Sequence, residues 1–217
     1  MEISWLGHSC FRLRGREAAI VTDPCPKSTG YSIGRPAATA VTISHDHPDH
    51  SNVAAVTGDP HVVKGPGEFE IAGVLIMGVR TYHDDTQGSE LGRNTAYVLE
   101  IDDVRICHLG DLGHVPTPEQ VEELSGVDVL LAPVGGGSTI DATAAAETVS
   151  LIGPKLVIPM HYKTPAAKAK LEPLDRFLKE MGADGALDER QPKLTVTKST
   201  LPEQTKVIVL DYKGQGS

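Results

Sequence analysis

A short apolar and β-branched run, "ATAVTIS" at residues 38–44, stops at a turn that sets three histidines and two aspartates between His45 and His50. Imidazole nitrogen and carboxylate oxygen are the donors zinc prefers, and they suit manganese and iron as well. Pro48 biases His47 toward an extended backbone and opens an expected helix, "PDHSNVAAV". On that reading His45 and His47 sit on the loop side, with Asp49 and His50 in the first helical turn. A turn of this kind can aim two pairs of donors at two neighbouring points. His45, His47, Asp49 and His50 alone leave a two-metal site incomplete, so the fold must carry further donors to the same end of the molecule.

Three further donors stand in comparable positions. His83 follows "GVLIMGVRTY", Asp111 follows "VRICHLG" and His161 follows "LVIPM", each at or just past the end of an expected strand. Strand ends of an open α/β layer are where ligands gather, because loops leave the rigid sheet there. The other expected strands are "EISWLG", "AAIVTDP", "NTAYVLEID", "VDVLLAPV" and "TKVIVLDY". Helices carry readable ends. Thr117 and Gln120 form a capping box with Pro118 at the first helical position, Asp141 caps and Gly153 stops a second helix, and "EPLDRFLKEMG" repeats the Pro-start, Gly-stop pattern. Strands outnumber helices, and hairpin-like pairs mix with β-to-α steps, which gives an α/β sandwich and not a simple alternating parallel fold.

Across 217 residues no block of Pro, Gly and Ser or of like charge divides the chain, and one domain over 1–217 is expected. Neither a signal-peptide core nor an unbroken apolar membrane span is legible, so a cytoplasmic protein without a membrane partner is expected. The three cysteines are odd in number and widely spaced, which points to inert thiols. A net charge of −9 disfavours nucleic acid as the main partner. "GVLIMG" is apolar enough for a homo-oligomer interface, and a core strand explains it equally well.

The pattern His-x-His-x-Asp-His, a later His, an Asp within "GD" and a final His resembles the metallo-β-lactamase superfamily, in the expected order over most of the chain. "GHS", "TDP", "GPGEFEIAGV", "HDD", "NTAYVLEID" and "IPMHY" look closest to the intracellular metal-dependent hydrolases grouped with ascorbate-6-phosphate lactonase. The resemblance implies a four-layer αβ/βα sandwich with two divalent metal ions, zinc first and manganese or iron next, in a cleft at one sheet edge. It assigns His45, His47 and His83 to the first metal and Asp49, His50 and His161 to the second, with Asp111 bridging. Diiron redox relatives replace the second His of the motif by Glu, and here that position is His47, which favours hydrolysis.

Two cations lower the pKa of a bridging water so that hydroxide attacks a small anionic lactone or ester, with Asp49 orienting it and relaying a proton. Asp23 is expected to hold a ligand imidazole by its second nitrogen. His114 is placed as proton donor to the leaving group, and His8 as a contact outside the ligands. His108 reads as a satisfied core histidine and His61 as a solvated one. "PVGGGSTID" lacks the Lys-Ser/Thr ending of a nucleotide loop and reads as a strand-to-helix turn; Lys163 is open between a substrate contact and a solvated side chain. A phosphodiesterase is the enzymatic alternative, and a metal-binding module without turnover is the non-enzymatic one.

Overall fold

The computed structural model describes residues 1–213 and folds them into two facing sheets. The first sheet runs β12 (Leu194–Thr195), β1 (Glu2–Gly7), β2 (Cys10–Arg14), β3 (Ala19–Thr22), β4 (Ala40–Ile43) and β5 (His61–Lys64). The second runs β13 (Lys206–Val207), β11 (Leu156–Met160), β10 (Val129–Pro133), β9 (Val104–His108), β8 (Arg93–Ile101), β7 (Val74–Tyr82) and β6 (Gly67–Ile71). Alternation in β1 and β2 turns Ile3, Trp5, Phe11 and Leu13 inward, where they share one buried cluster with Ile76, Tyr97, Leu99 and Ile106 of the facing sheet. Tyr97 pins the layers, since its buried hydroxyl donates to the Ile43 carbonyl at 3.0 Å.

The strands β9, β10 and β11 pair in parallel and are almost wholly buried, in keeping with their continuous apolar sequences. Helices α1 (Pro118–Leu124), α2 (Ala142–Ile152) and α3 (Asp175–Glu180) belong to this side: α1 packs on β7, α2 on β10, and α3 on α2. The capping box forms, with Thr117 Oγ1 accepting from the Gln120 amide, and Asp141 caps α2 by accepting from the Ala144 amide at 2.9 Å. The first sheet is covered differently. Its outer residues Leu6, Cys10, Val21 and Val41 are buried under Tyr31, Ile33 and Val56, which come from loops containing only short 3-10 turns among the described residues.

Three sequence expectations change. "PDHSNVAAV" forms no α-helix: a single turn at residues 48–50 is followed by a 3-10 turn, Val53–Ala55. The His50 amide closes the turn on the His47 carbonyl at 3.0 Å, but the Asn52 amide, needed to propagate a helix, donates to the Pro24 carbonyl instead. "TKVIVLDY" contributes only Lys206–Val207 to the sheet, because Gln191 and Val209 then bond to each other outside the ladder. "CFRLR" is an additional strand, β2, joined to β1 through a tight turn at Gly7 to Cys10. "GVLIMG" lies in β7 between β6 and β8, with Val74 and Ile76 buried and Leu75 exposed. No helix among the described residues is long and apolar enough to cross a membrane.

Candidate metal centre

Loops after β1, β3, β4, β7, β9 and β11 converge at one end of the two sheets, and two groups of imidazoles face each other there across Asp111. The first group is His45, His47 and His83. His45 Nε2 and His47 Nδ1 are 3.0 Å apart. The Ser44 hydroxyl donates to Asp23 Oδ2, so its oxygen is free to accept from His45 Nδ1 at 2.9 Å. His83 Nδ1 donates to the Ser138 carbonyl at 2.9 Å. Both contacts fix the tautomer that leaves the Nε2 lone pair facing the cleft.

The second group is His8, His50 and His161. His50 Nδ1 donates to Asp23 Oδ2 at 2.9 Å, and its Nε2 lies 3.1 Å from His8 Nε2. His161 enters from the end of β11, its ring centroid 4.6 Å from that of His8, and its buried Nδ1 has no partner among the described residues. Asp111 stands between the groups: Oδ2 is 3.2 Å from His50 Nε2, 3.5 Å from His83 Nε2 and 3.6 Å from His161 Nε2. Its backbone amide donates to Asn94 Oδ1, and Ser9 Oγ donates to its Oδ1. Asp49 lies at the solvent side with its side chain 46% exposed, and its closest imidazole is His8, Oδ2 to Nε2 3.4 Å.

Close backbone approach holds these loops. A Cβ on Gly135 would run into the His161 carbonyl and Tyr162 Cα, and one on Gly113 into the His83 carbonyl group. His8, Asp23 and His161 all take left-handed backbone, φ +55°, +38° and +51°, a conformation that costs an ordinary residue about 1 kcal/mol or more. Three such residues at one point is strain concentrated where side chains must be aimed.

Burial and the neighbouring His50 push His45 down to about 3, and burial pushes His161 down to about 4, so both rings are neutral donors at pH 7. Burial opposes charge on His50, but Asp111 and Asp23 outweigh it and hold this imidazole well above its ordinary range. Burial likewise opposes charge on Asp111, and the surrounding imidazoles, His161 and His50 foremost, keep it ionised. The hydrogen bond from His8 holds Asp49 well below the usual carboxylate range against a smaller effect of burial.

The donor set fits divalent cations. Lone pairs of His45 and His83 converge on a carboxylate, an arrangement that is repulsive until positive charge enters. Two nitrogens on one tetrahedral zinc stand about 3.3 Å apart, close to the 3.0 and 3.1 Å separations here. Asp23 also lies near His45 and His50, but its oxygens are already taken by the Ser44 amide, the Ser44 hydroxyl and His50 Nδ1, so it acts as a support.

Comparison with known proteins agrees with this geometry. The model of a β-lactamase superfamily domain matches residues 2–161, ending at the last imidazole of the second group. A crystal structure from Thermotoga maritima, assigned to the metallo-β-lactamase superfamily, is 40% identical over 98% of this chain and 99% of that one, with a TM-score of 0.79. The chain belongs to the metallo-β-lactamase superfamily. Among superfamily members, a UPF0173 metal-dependent hydrolase of Pyrococcus horikoshii is 29% identical over 208 residues, 82% of this chain and 92% of its own length. One from Thermococcus onnurineus is 30% identical over 198 residues, 76% of this chain and 85% of its own.

Of the residues named from sequence, His45, His47, His50, His83, Asp111 and His161 are brought together, and Asp49 sits at their solvent edge. His114 is not turned to the cleft: its Nδ1 donates to the Val115 carbonyl at 2.9 Å and its Nε2 accepts from the Tyr82 amide at 3.3 Å. Both ring nitrogens are engaged by backbone, which leaves none for a leaving group. Lys163 is exposed. The glycine-rich turn supplies the Ser138 carbonyl that holds His83. His108 is buried with Nε2 donating to the Ser9 carbonyl at 2.8 Å. His8, expected only as an outer contact, lies within the second group, and Ser9 and Asn94, which hold Asp111, carry no local signal of that role. "GHS" directly after a strand end was the available signal for His8.

Proposed function

We propose that this metal-dependent hydrolase holds two divalent cations, zinc first and manganese or iron next, and opens a small anionic lactone or ester. The position of Asp111 Oδ2 between two three-imidazole groups carries this reading. His45, His47 and His83 would hold one ion, and His8, His50 and His161 the other, with Asp111 shared. When bound, such a pair supplies Lewis acidity and lowers the pKa of water between the ions.

The chain's own groups do the rest. Asp49, ionised and half exposed at the solvent edge of the second group, takes the proton of the attacking water at Oδ2. Asp23 fixes His50, and Ser44 and Ser138 fix His45 and His83, so the donors need no rearrangement on binding.

A cavity of about 300 Å³ opens beside His8 and Asp49, lined also by Ser28, Tyr31, Lys168 and Leu171. Its volume suits a small molecule, Lys168 can meet an anionic group, and Leu171 offers an apolar wall. The test is metal content by plasma mass spectrometry, followed on the same sample by a panel of lactones, carboxylic esters and phosphodiesters. About two metals per chain with turnover of lactones or esters is the expected result. Turnover confined to phosphodiesters would overturn the substrate, and metal-loaded protein inert to the whole panel would overturn the catalytic reading. Asp111→Ala should lose one metal per chain, and two tightly held metals in that variant would overturn the sharing.

A further inference from the structure

We propose that the outer face of the first sheet carries a second binding site, for a small organic phosphate. This face lacks the α-helical cover of the second sheet among the described residues, and a cavity of about 590 Å³ opens over it. Arg12, Arg35 and Lys213 line it with Trp5, Tyr212 and the carboxylate of Asp211. That volume lies in the ordinary range of small-molecule sites.

Three observations point to an anion. The chain as a whole is acidic, at −9, so its general field repels anions and a local cluster of cations is a departure from it. Arg12 and Arg35 make no ion pair within 4.0 Å among the described residues, with Asp211 or any other carboxylate. Arg12 Nε is buried with no hydrogen-bond partner there, and an unmet guanidinium donor is costly. The cationic strip also continues: Arg14, two residues on and therefore on the same side of β2, joins Arg12 and Ala37 in lining an adjoining cavity of about 350 Å³.

Guanidinium groups meet phosphate oxygens in paired, charge-assisted hydrogen bonds, and the several oxygens of one phosphate can engage Arg12 and Arg35 together. The apolar part of the lining, Tyr212 and Pro36, suits a carbon skeleton attached to that phosphate. The site adjoins the metal centre without sharing a ligand with it. The Trp5 indole donates to the His8 carbonyl at 2.9 Å, and its ring lies 5.1 Å from that of Tyr162, the residue after His161. Occupancy of the cleft is therefore read one residue away from the second imidazole group.

Trp5 is the only tryptophan in the chain, and its buried ring lies 6.0 Å from that of Tyr212, so its fluorescence reports this outer cavity through Tyr212. The experiment titrates phenyl phosphate, and separately inorganic phosphate, into the metal-loaded protein and into Arg12→Gln/Arg35→Gln. The expected result is a saturable change with phenyl phosphate that weakens at least about tenfold in the double variant, while metal content and hydrolytic turnover match the parent. Lys213→Gln, at an exposed position whose Nζ already donates to the Ile33 carbonyl, should weaken it by a smaller factor. Equal affinity in parent and double variant would place the phosphate at the metal centre and overturn the site. Absence of saturable binding in the parent, by fluorescence and by calorimetry, would overturn it too. Inorganic phosphate binding as tightly as phenyl phosphate would overturn the organic half of the proposal.

Discussion

The two imidazole groups flanking Asp111 are built in different ways. His45, His47 and His83 are held by neutral partners, a serine hydroxyl and a main-chain carbonyl, and two of the three lie in one contiguous stretch. His8, His50 and His161 arrive from three separate strand ends, two of them on left-handed backbone, and the central ring rests on the buried carboxylate of Asp23. One group is a local motif steadied by its neighbours; the other is a long-range assembly whose geometry depends on the fold around it. Disturbing the fold near β1 or β11 should therefore damage the second group and spare the first.

The largest expected effect tests what lies outside both groups. Asp49→Asn should lower turnover by about 10² to 10⁴ with metal content unchanged, measured by steady-state kinetics beside mass spectrometry. Loss of a metal from that variant would make Asp49 a ligand and dissolve the distinction drawn between it and His8. His8→Ala comes next: affinity for the second metal should fall by more than the roughly 100-fold that removal of a supporting contact costs, and the first metal should stay. Asp23→Asn should weaken the second metal about 10- to 100-fold; an equal loss at both sites, seen by competition with a chelator, would show that Ser44 makes Asp23 a support for both groups.

The smallest effect concerns acid. His45 and His161 have folded values lowered to about 3 and about 4, below the ordinary imidazole value of about 6.5. Unfolded chains then bind protons that the folded, metal-free protein refuses, so its stability should fall steadily as pH drops from about 6.5 to about 4. The raised His50 acts in the opposite sense, but its contribution is already complete below about pH 6.5 and is lost only as pH rises. Thermal melts of metal-free protein across this range check the slope, and a flat profile would contradict it.

Legibility follows the same division. The spacing of His45, His47, Asp49 and His50 and the strand ends before His83, Asp111 and His161 are visible along the chain, as are the caps at Thr117 and Asp141. His8 is separated from His50 by more than forty residues, and nothing in "GHS" tells which neighbour it will meet. The missing helix after Pro48 has the same cause: its local sequence permits a helix, and the decision lies with the Pro24 carbonyl and with Asp23, which draw the Asn52 amide and the His50 ring away. Proximity of His114 in sequence to Asp111 says nothing about which backbone groups occupy its nitrogens. The strand β2 is hidden by its tight turn, although "CFRLR" alternates as a strand with its Phe11 and Leu13 face buried should.

The margins of the two sheets have a consequence for life in a crowded solution. The first ends in β12, two residues long, and in β5, four residues ending at Lys64; the second ends in β13, two residues long, and in β6. Only β6 is of ordinary length, and it displays Glu68 and Glu70 to solvent. Unpaired strand margins template the addition of further chains, and brevity and charge are what blunt them. Glu68 and Glu70 thus place negative charge on the longest of these four margins, where a second copy would otherwise add a strand.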